Sequence, residues 1–234
     1  LEAARAKTDF AANVSHELRS PITQIRLKAE ALQLDLVPSE EEKERLYATI
    51  VREADRLSRL VDNVLDFSAI ERGSKKYIQR AEDMTEVVRL AVEPLRDTLH
   101  QRNIDIDIDI PENLPVVWVD REAIAQVLTN LLSNAFKYGA EGGWIGLEIK
   151  ETEDAIICSV SDRGIGIPNE DLAHVFENFY RSSDPEVRKM RGTGIGLSIV
   201  RYIIEAHAGR VTVNSTEGVG TTFSFSLPLR SSEA

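Results

Sequence analysis

The sequence predicts two architectures in tandem: an α-helical hairpin, followed by an α+β two-layer sandwich. Three observations carry this reading. Two long stretches repeat apolar residues every three or four positions, first Phe10, Val14, Leu18, Ile22, Ile25, Ala29, Leu32 and Leu36, then Leu46, Ile50, Ala54, Leu57, Val61, Val64 and Ser68, widened by Leu60, Leu65 and Phe67. After residue 80, short alternating apolar runs take turns with helix signals. Between the two textures lies the short polar GSKKYIQR, so the domains are read as 1–73 for the hairpin, 74–80 for a hinge, 81–230 for the sandwich and 231–234 for a tail.

The first helix is expected from about residue 3 to Leu36, about 50 Å at 1.5 Å per residue. It stops there because the residue before Pro38 avoids the α conformation. Ser39 and Glu42 form a capping-box pattern that restarts helix, which runs to Gly73. A lone hairpin cannot cover both stripes, so a second copy is expected to complete a four-helix bundle, with packing on the sandwich as the weaker alternative.

In the second domain, Asp83 and Glu86 can cap a helix to about Gln101, kinked near Pro94. Ile104, Ile106, Ile108 and Ile110 alternate with aspartates as a half-exposed strand, whose acidic face reads as solvated rather than metal-binding. Val116 to Val119 is a short strand, and Asp120 caps the next helix. Residues 144–150 and 155–161 read as strands, Asn169 caps a helix to about Phe176, and Ile195 to Ala208 is a helix closed by Gly209. Residues 210–215 and 222–227, joined through TEGVGT, close the domain as a hairpin.

Composition narrows the function. The chain has 234 residues, 42% of them hydrophobic, enough for a substantial core. Twenty-eight basic against thirty-nine acidic residues give a net charge of −11, which argues against a nucleic-acid surface and requires any polyanionic ligand to be met locally. The single cysteine, Cys158, lies in the apolar run AIICSV and reads as a small buried side chain in a reducing compartment. No run approaches a membrane span or a signal peptide, so a soluble cytoplasmic piece is expected, with any membrane anchor outside this chain.

Four clusters suggest chemistry. His16 lies two residues from both Val14 and Leu18, so at about 100° per residue it points away from the apolar stripe. Glu17 adjoins it, Ser20 shares its face one turn on, and Pro21 removes an amide that would bond the Glu17 carbonyl, so a local bend is expected. Alone, such a histidine is usually an inert solvated one. On the helix after Asp120, Gln126, Asn130, Asn134 and Lys137 share a polar face beside the buried Val127, Leu128, Leu131, Leu132 and Ala135. Asparagine is a poor interior helix residue, so Asn134 suggests a hard oxygen for Mg²⁺ and Lys137 a phosphate contact. Asp162 opens DRGIGIP, where Gly164 and Gly166 permit tight turns and a carboxylate can accept an exocyclic amine such as that of adenine. RGTGIGLS places Gly192, Gly194 and Gly196 before a helix whose free amides can bind phosphate. It lacks the GK[ST] of a Walker loop, and Leu197 stands where a dinucleotide fingerprint needs its last glycine.

HELRSP, NLLSNAFKY, DRGIGIP, FENFYR and GTGIGLS together resemble, in order and approximate spacing, the sensor histidine kinases of two-component signalling. The resemblance covers nearly the whole chain. It implies a dimerisation and histidine-phosphotransfer hairpin followed by a GHKL-type ATP-binding domain, with ATP and Mg²⁺ as cofactors. It implies His16 as phosphoacceptor, Glu17 as the acidic neighbour that activates its ring, Asn134 as Mg²⁺ ligand with Asn130 as companion, and Lys137 as a phosphate contact. Tyr138 would pack near adenine and Asp162 would bind it, with Gly164 and Gly166 shaping that loop. Phe176, Phe179 and Tyr180 would form the aromatic segment beside the ATP lid. Arg181 would touch phosphate, Gly192, Thr193, Gly194, Gly196 and Leu197 would close the lid, and Ser182 to Met190 would be its mobile part.

The expected activity is ATP-dependent autophosphorylation of His16 and transfer to an aspartate of a response regulator receiver domain, in a homodimer. The hinge and a bend near Pro21 would let the ATP-binding domain swing between docked and free states. Ser20 stands where the family usually has threonine or asparagine, the position associated with orienting a water for phosphatase activity. Serine keeps the hydroxyl and loses the methyl that restricts its rotamers, so kinase activity is expected to be intact and some phosphatase activity to be present. Two other classes fit parts of the pattern: a nucleotide-binding dimeric scaffold without kinase activity, and a GHKL ATPase of the chaperone or topoisomerase type, which HELRSP on a striped hairpin disfavours.

Overall fold

The computed structural model describes residues 2–139, 142–182, 184, 187, 190 and 192–229. The chain divides into two compact units, Leu1–Ser74 with Ser183–Ile195, and Lys75–Ser182 with Gly196–Ala234. The expected lid, Ser182 to Met190, lies largely outside the described residues.

In the first unit α1 (Glu2–Gln33) and α2 (Glu40–Glu71) form the hairpin. α1 runs unbroken through Pro21 and closes about one turn before the predicted Leu36. Asp35 adopts φ 51°, and the Leu36 amide donates back to the Ala31 carbonyl at 3.0 Å. This is a left-handed helix stop of the kind that aspartate tolerates, and it acts before Pro38 can. Ser39 caps α2 as expected, its Oγ accepting the Glu42 amide at 3.2 Å. Phe67 is buried against Phe10 with ring centroids 5.9 Å apart, whereas Ile22, Leu36, Val61 and Leu65 of the two stripes are exposed. Two helices cover each other along one seam only, so part of each stripe, Ile22, Ala29 and Leu36 of the first and Ala54, Val61 and Leu65 of the second, stays exposed within this unit.

The second unit is a two-layer sandwich. β1 (Arg80–Glu82) pairs antiparallel with β3 (Val117–Val119), so the expected hinge already ends in strand at Arg80. The Ile78 amide donates to Asp120 Oδ2 at 2.8 Å, which ties the hinge to the start of α5 (Arg121–Gly139). Asp120 also caps α5, its Oδ1 accepting from the Ala123 amide at 3.1 Å. The predicted helix over residues 83–101 is split by Pro94: α3 (Met84–Val92) passes through a 3₁₀ turn at Glu93–Leu95 into α4 (Arg96–Gln101). Proline lacks the amide that α-helix needs, and the tighter turn accommodates it.

The main sheet has five strands in the order β2 (Asp105–Asp109), β4 (Trp144–Glu151), β5 (Ala155–Asp162), β7 (Gly220–Pro228), β6 (Arg210–Thr216). β2 joins β4 in parallel and every other pairing is antiparallel. α5 lies against β4, β5 and β7, flanked by α3 and by α7 (Gly196–Ala206). The core is read directly from period two in the strands: Ile145, Leu147 and Ile149 of β4, Ile156, Cys158 and Val160 of β5, and Phe223, Phe225 and Leu227 of β7 all point inward. They meet Ile124, Val127, Leu128, Leu131 and Leu132 of α5. Burial pushes the Cys158 thiol far up, so it serves as a small apolar side chain.

Two predicted helix ends are corrected. α6 is a single turn, Asn169–Leu172, and Asn169 is its first residue rather than its cap. The amides of His174 and Val175 both turn back to the Asp171 carbonyl, after which the chain leaves the helix. At the end of α7 it is Ala208, at φ 56°, that takes the left-handed conformation one residue before Gly209. His207 helps to hold this end: its Nδ1 meets the Ile203 carbonyl at 2.7 Å and its Nε2 the Asp120 amide at 3.0 Å. The amide can only donate, so Nε2 accepts and Nδ1 carries the proton.

Candidate active site

In the hairpin unit, His16 is exposed on α1 while Glu17 is buried. One more residue turns the side chain by about 100°, from water to the seam with α2. There the Arg56 guanidinium donates to Glu17 Oε2 at 2.7 Å, and the Gly192 amide donates to Oε1 at 3.2 Å. Arg56 also lies 3.5 Å from Glu53. Both oxygens of Glu17 are therefore engaged, and an activating bond to His16 requires the carboxylate to turn. Ser20, one turn on, is half-buried.

In the second unit, the period that buries Ile156, Cys158 and Val160 buries Asp162 at the end of β5, where it is 9% exposed. Its Oδ1 accepts the Gly164 amide at 2.9 Å. Burial holds its carboxyl above the ordinary value, opposed by backbone hydrogen bonds from Gly164 and Thr221. The C-terminal end of α5 reaches it because Gly139 has no side chain, since a Cβ there would stand 2.6 Å from the Asp162 Cβ. Gly164 is bound as tightly: a Cβ would meet the Tyr138 carbonyl oxygen at 2.0 Å and the Gly139 Cα at 2.6 Å. The loop glycines thus allow close approach of backbone to backbone, a contact beyond the tight turns expected of them. Gly166, at φ 71°, does the same against Thr216.

Gly164→Ala forces backbone against backbone, with no flexible side chain to yield, and about 1–3 kcal/mol of destabilisation is expected. A melting curve of the variant checks this. An unchanged Tm would contradict the contact.

On α5, Asn130 and Asn134 are half-buried. The Nδ2 of Asn130 is buried with no hydrogen-bond partner among the described residues, and its Oδ1 lies 4.0 Å from where a Cβ of Gly196 would stand. An orphaned amide next to the N-terminus of α7 suits a polar ligand with acceptor oxygens, so the donor set fits a nucleotide. Lys137 departs from the expected phosphate pose: its Nζ sits 4.2 Å from the Tyr138 ring centroid and donates to the Tyr138 hydroxyl. The Tyr138 phenol is held up by burial, and the charge of Arg181 works against that shift. Gly194 takes φ 76°, and Gly192 and Thr193 precede it.

Two residues that shape this geometry, Gly139 beside Asp162 and Arg56 beside Glu17, belong to none of the motifs in the sequence. Only the neighbours they meet in space distinguish them.

A hairpin bearing an exposed histidine, joined to a sandwich with a buried aspartate and glycine turns at one end of its sheet, defines a phosphoacceptor hairpin with a GHKL-type nucleotide-binding domain. Residues 6–73 match the His Kinase A (phospho-acceptor) domain model and residues 119–231 the model of histidine kinase-, DNA gyrase B- and HSP90-like ATPases. The chain belongs to the sensor histidine kinase family and carries its catalytic core. It is 34% identical to sensor histidine kinase WalK of Bacillus subtilis over 226 residues, 96% of this chain and 37% of that one. It is 37% identical to drug sensory protein A of Synechocystis sp. over 240 residues, 97% of this chain and 36% of that one. The chain therefore spans little more than a third of these relatives. Among solved structures, histidine kinase ThkA in complex with response regulator protein TrrA matches all of this chain and 65% of that one, with TM-score 0.64 and 27% identity. Full-length ShkA in complex with AMPPNP matches 95% of this chain and 46% of that one, with TM-score 0.67 and 25% identity. Among the described residues, no helix is long and apolar enough to cross a membrane.

Proposed function

We propose that this chain is a protein-histidine kinase that phosphorylates His16 from ATP and passes the group to an aspartate of a response regulator receiver domain. The observation that carries the reading is the pairing, in one chain, of an exposed histidine on a phosphoacceptor hairpin with the buried Asp162 between Gly139 and Gly164. Asp162 accepts the exocyclic amine of adenine, Tyr138 borders the base, and Asn130, Arg181 and the amides of Gly196 and Leu197 meet the phosphates. Lys137 joins them after leaving the Tyr138 ring. Mg²⁺, held by Asn134, would neutralise phosphate charge.

The imidazole of His16 attacks the γ-phosphorus through a ring nitrogen lone pair. A nitrogen–phosphorus bond forms, the bond to the bridging oxygen breaks with ADP leaving, and the ring proton passes to a base, for which Glu17 is the neighbouring carboxylate. The exposed Ile22, Leu36, Val61 and Leu65 favour a second copy of the hairpin as their cover. Phosphatase activity toward the regulator would rest on the Ser20 hydroxyl.

Incubation with γ-labelled ATP and Mg²⁺ tests the reading. Label bound to the chain, stable in alkali and lost in acid, is expected. Nucleotide binding without label transfer would instead make the chain a nucleotide-binding signalling scaffold.

A further inference from the structure

The aromatic segment after α6 is held in an unusual backbone state. Phe179 has φ 68°, a conformation that bulky side chains rarely adopt. Its two neighbours are each tied outward by a side-chain hydrogen bond. Asn178 Nδ2 donates to the Tyr202 hydroxyl on α7 at 3.2 Å, and the Tyr180 hydroxyl donates to Asp171 Oδ1 on α6 at 2.6 Å. The His174 ring packs on Tyr180 at 5.6 Å and is itself oriented by Glu177, 2.8 Å from its Nδ1. Asp171 is 5% exposed, and its Oδ2 is buried without a hydrogen-bond partner among the described residues.

A buried carboxylate with one oxygen left over is an expensive way to hold a loop, and an apolar residue would fill the space at lower cost. Its presence is accounted for by what it holds. Tyr180 directly precedes Arg181, the residue proposed above to meet the nucleotide phosphates. A left-handed residue followed by a pinned one sets the direction in which the chain leaves toward residue 182.

We propose that Asp171 is a positioning residue for nucleotide binding: by holding the Tyr180 hydroxyl it fixes the left-handed turn at Phe179 and so aims Arg181 at the phosphates. The inference rests on the nucleotide site proposed above. Asp171 touches no reacting group and acts only through Tyr180.

Label incorporation against ATP concentration tests it in Asp171→Ala, Asp171→Asn, Tyr180→Phe and the Asp171→Ala/Tyr180→Phe pair. Because the loss concerns ground-state binding, Asp171→Ala and Tyr180→Phe should each raise the KM for ATP about fivefold and change kcat less than about twofold. The pair should cost no more than either alone. Asparagine keeps an acceptor for the Tyr180 hydroxyl and should restore KM to within about twofold. An unchanged KM, or losses that multiply in the pair, overturns the inference. Should Asp171→Ala fail to fold, Tyr180→Phe and Asp171→Asn carry the same test. If the parent binds ATP and labels itself but the variants do not shift, this inference fails alone. A parent that binds no ATP overturns the nucleotide site and the inference together.

Discussion

His16→Gln is expected to abolish acid-labile label while leaving the fold and nucleotide binding in place. The imidazole is exposed on α1, so its replacement removes no core packing, and stability should change by no more than about 0.5 kcal/mol. Glutamine is of similar length and polarity, but its amide nitrogen lone pair is delocalised and cannot attack phosphorus. Transfer should therefore fall by at least about 10³-fold, as when a covalent nucleophile is removed. Asp162 and Asn130 lie in the other compact unit, so ATP affinity should stay within about twofold. The chain has four histidines, which makes the outcome decisive. His207 is buried with both nitrogens engaged, so label persisting in His16→Gln would point to His100 or His174 and overturn the assignment.

Asp162→Asn is expected to weaken ATP binding about a hundredfold, or about 2.7 kcal/mol, because a site built to accept an amine is left presenting one. The same substitution should leave Tm at neutral pH unchanged or slightly higher. Burial raises the carboxyl of Asp162 above 3.8, so the folded protein holds this proton more tightly than the unfolded chain. Its contribution to stability is present below the unfolded value and is lost as pH rises through the folded one. At neutral pH the ionised carboxylate costs stability, and the neutral amide relieves that cost. ATP binding runs the opposite way: the acceptor is the ionised form, so affinity should fall as pH drops through the raised value. Calorimetric titration across pH, beside melting curves, checks all three signs. Unaltered ATP affinity in the variant would remove Asp162 from the base site.

Much of this was legible in order along the chain. The two stripes, the Ser39 and Asp120 caps, the alternating strands and the clusters around His16, Asn134, Asp162 and Gly192 are local patterns, and local patterns report secondary structure and face. Where a prediction missed, a competing interaction had been out of sight. α1 ends at Gln33 because the left-handed Asp35 closes it before the proline, and Ala208 turns in place of Gly209 with His207 locking the end of α7. The helix expected to reach Phe176 ends after Leu172, and the chain continues to a left-handed Phe179.

By itself the sequence determined the succession of elements, the faces they bury and the residue types available for chemistry, because periodicity and capping act within a few residues. Tertiary structure alone decided how those residues are used. Glu17, adjacent to His16 in the chain, spends its carboxylate on Arg56, 39 positions away. Lys137 lies over its neighbour's ring, and Gly139 matters for the Cβ it lacks beside Asp162. These are contacts between side chains brought together by packing. Hydrogen bonds and steric exclusion act over a few ångströms of space, a distance that residue spacing does not specify.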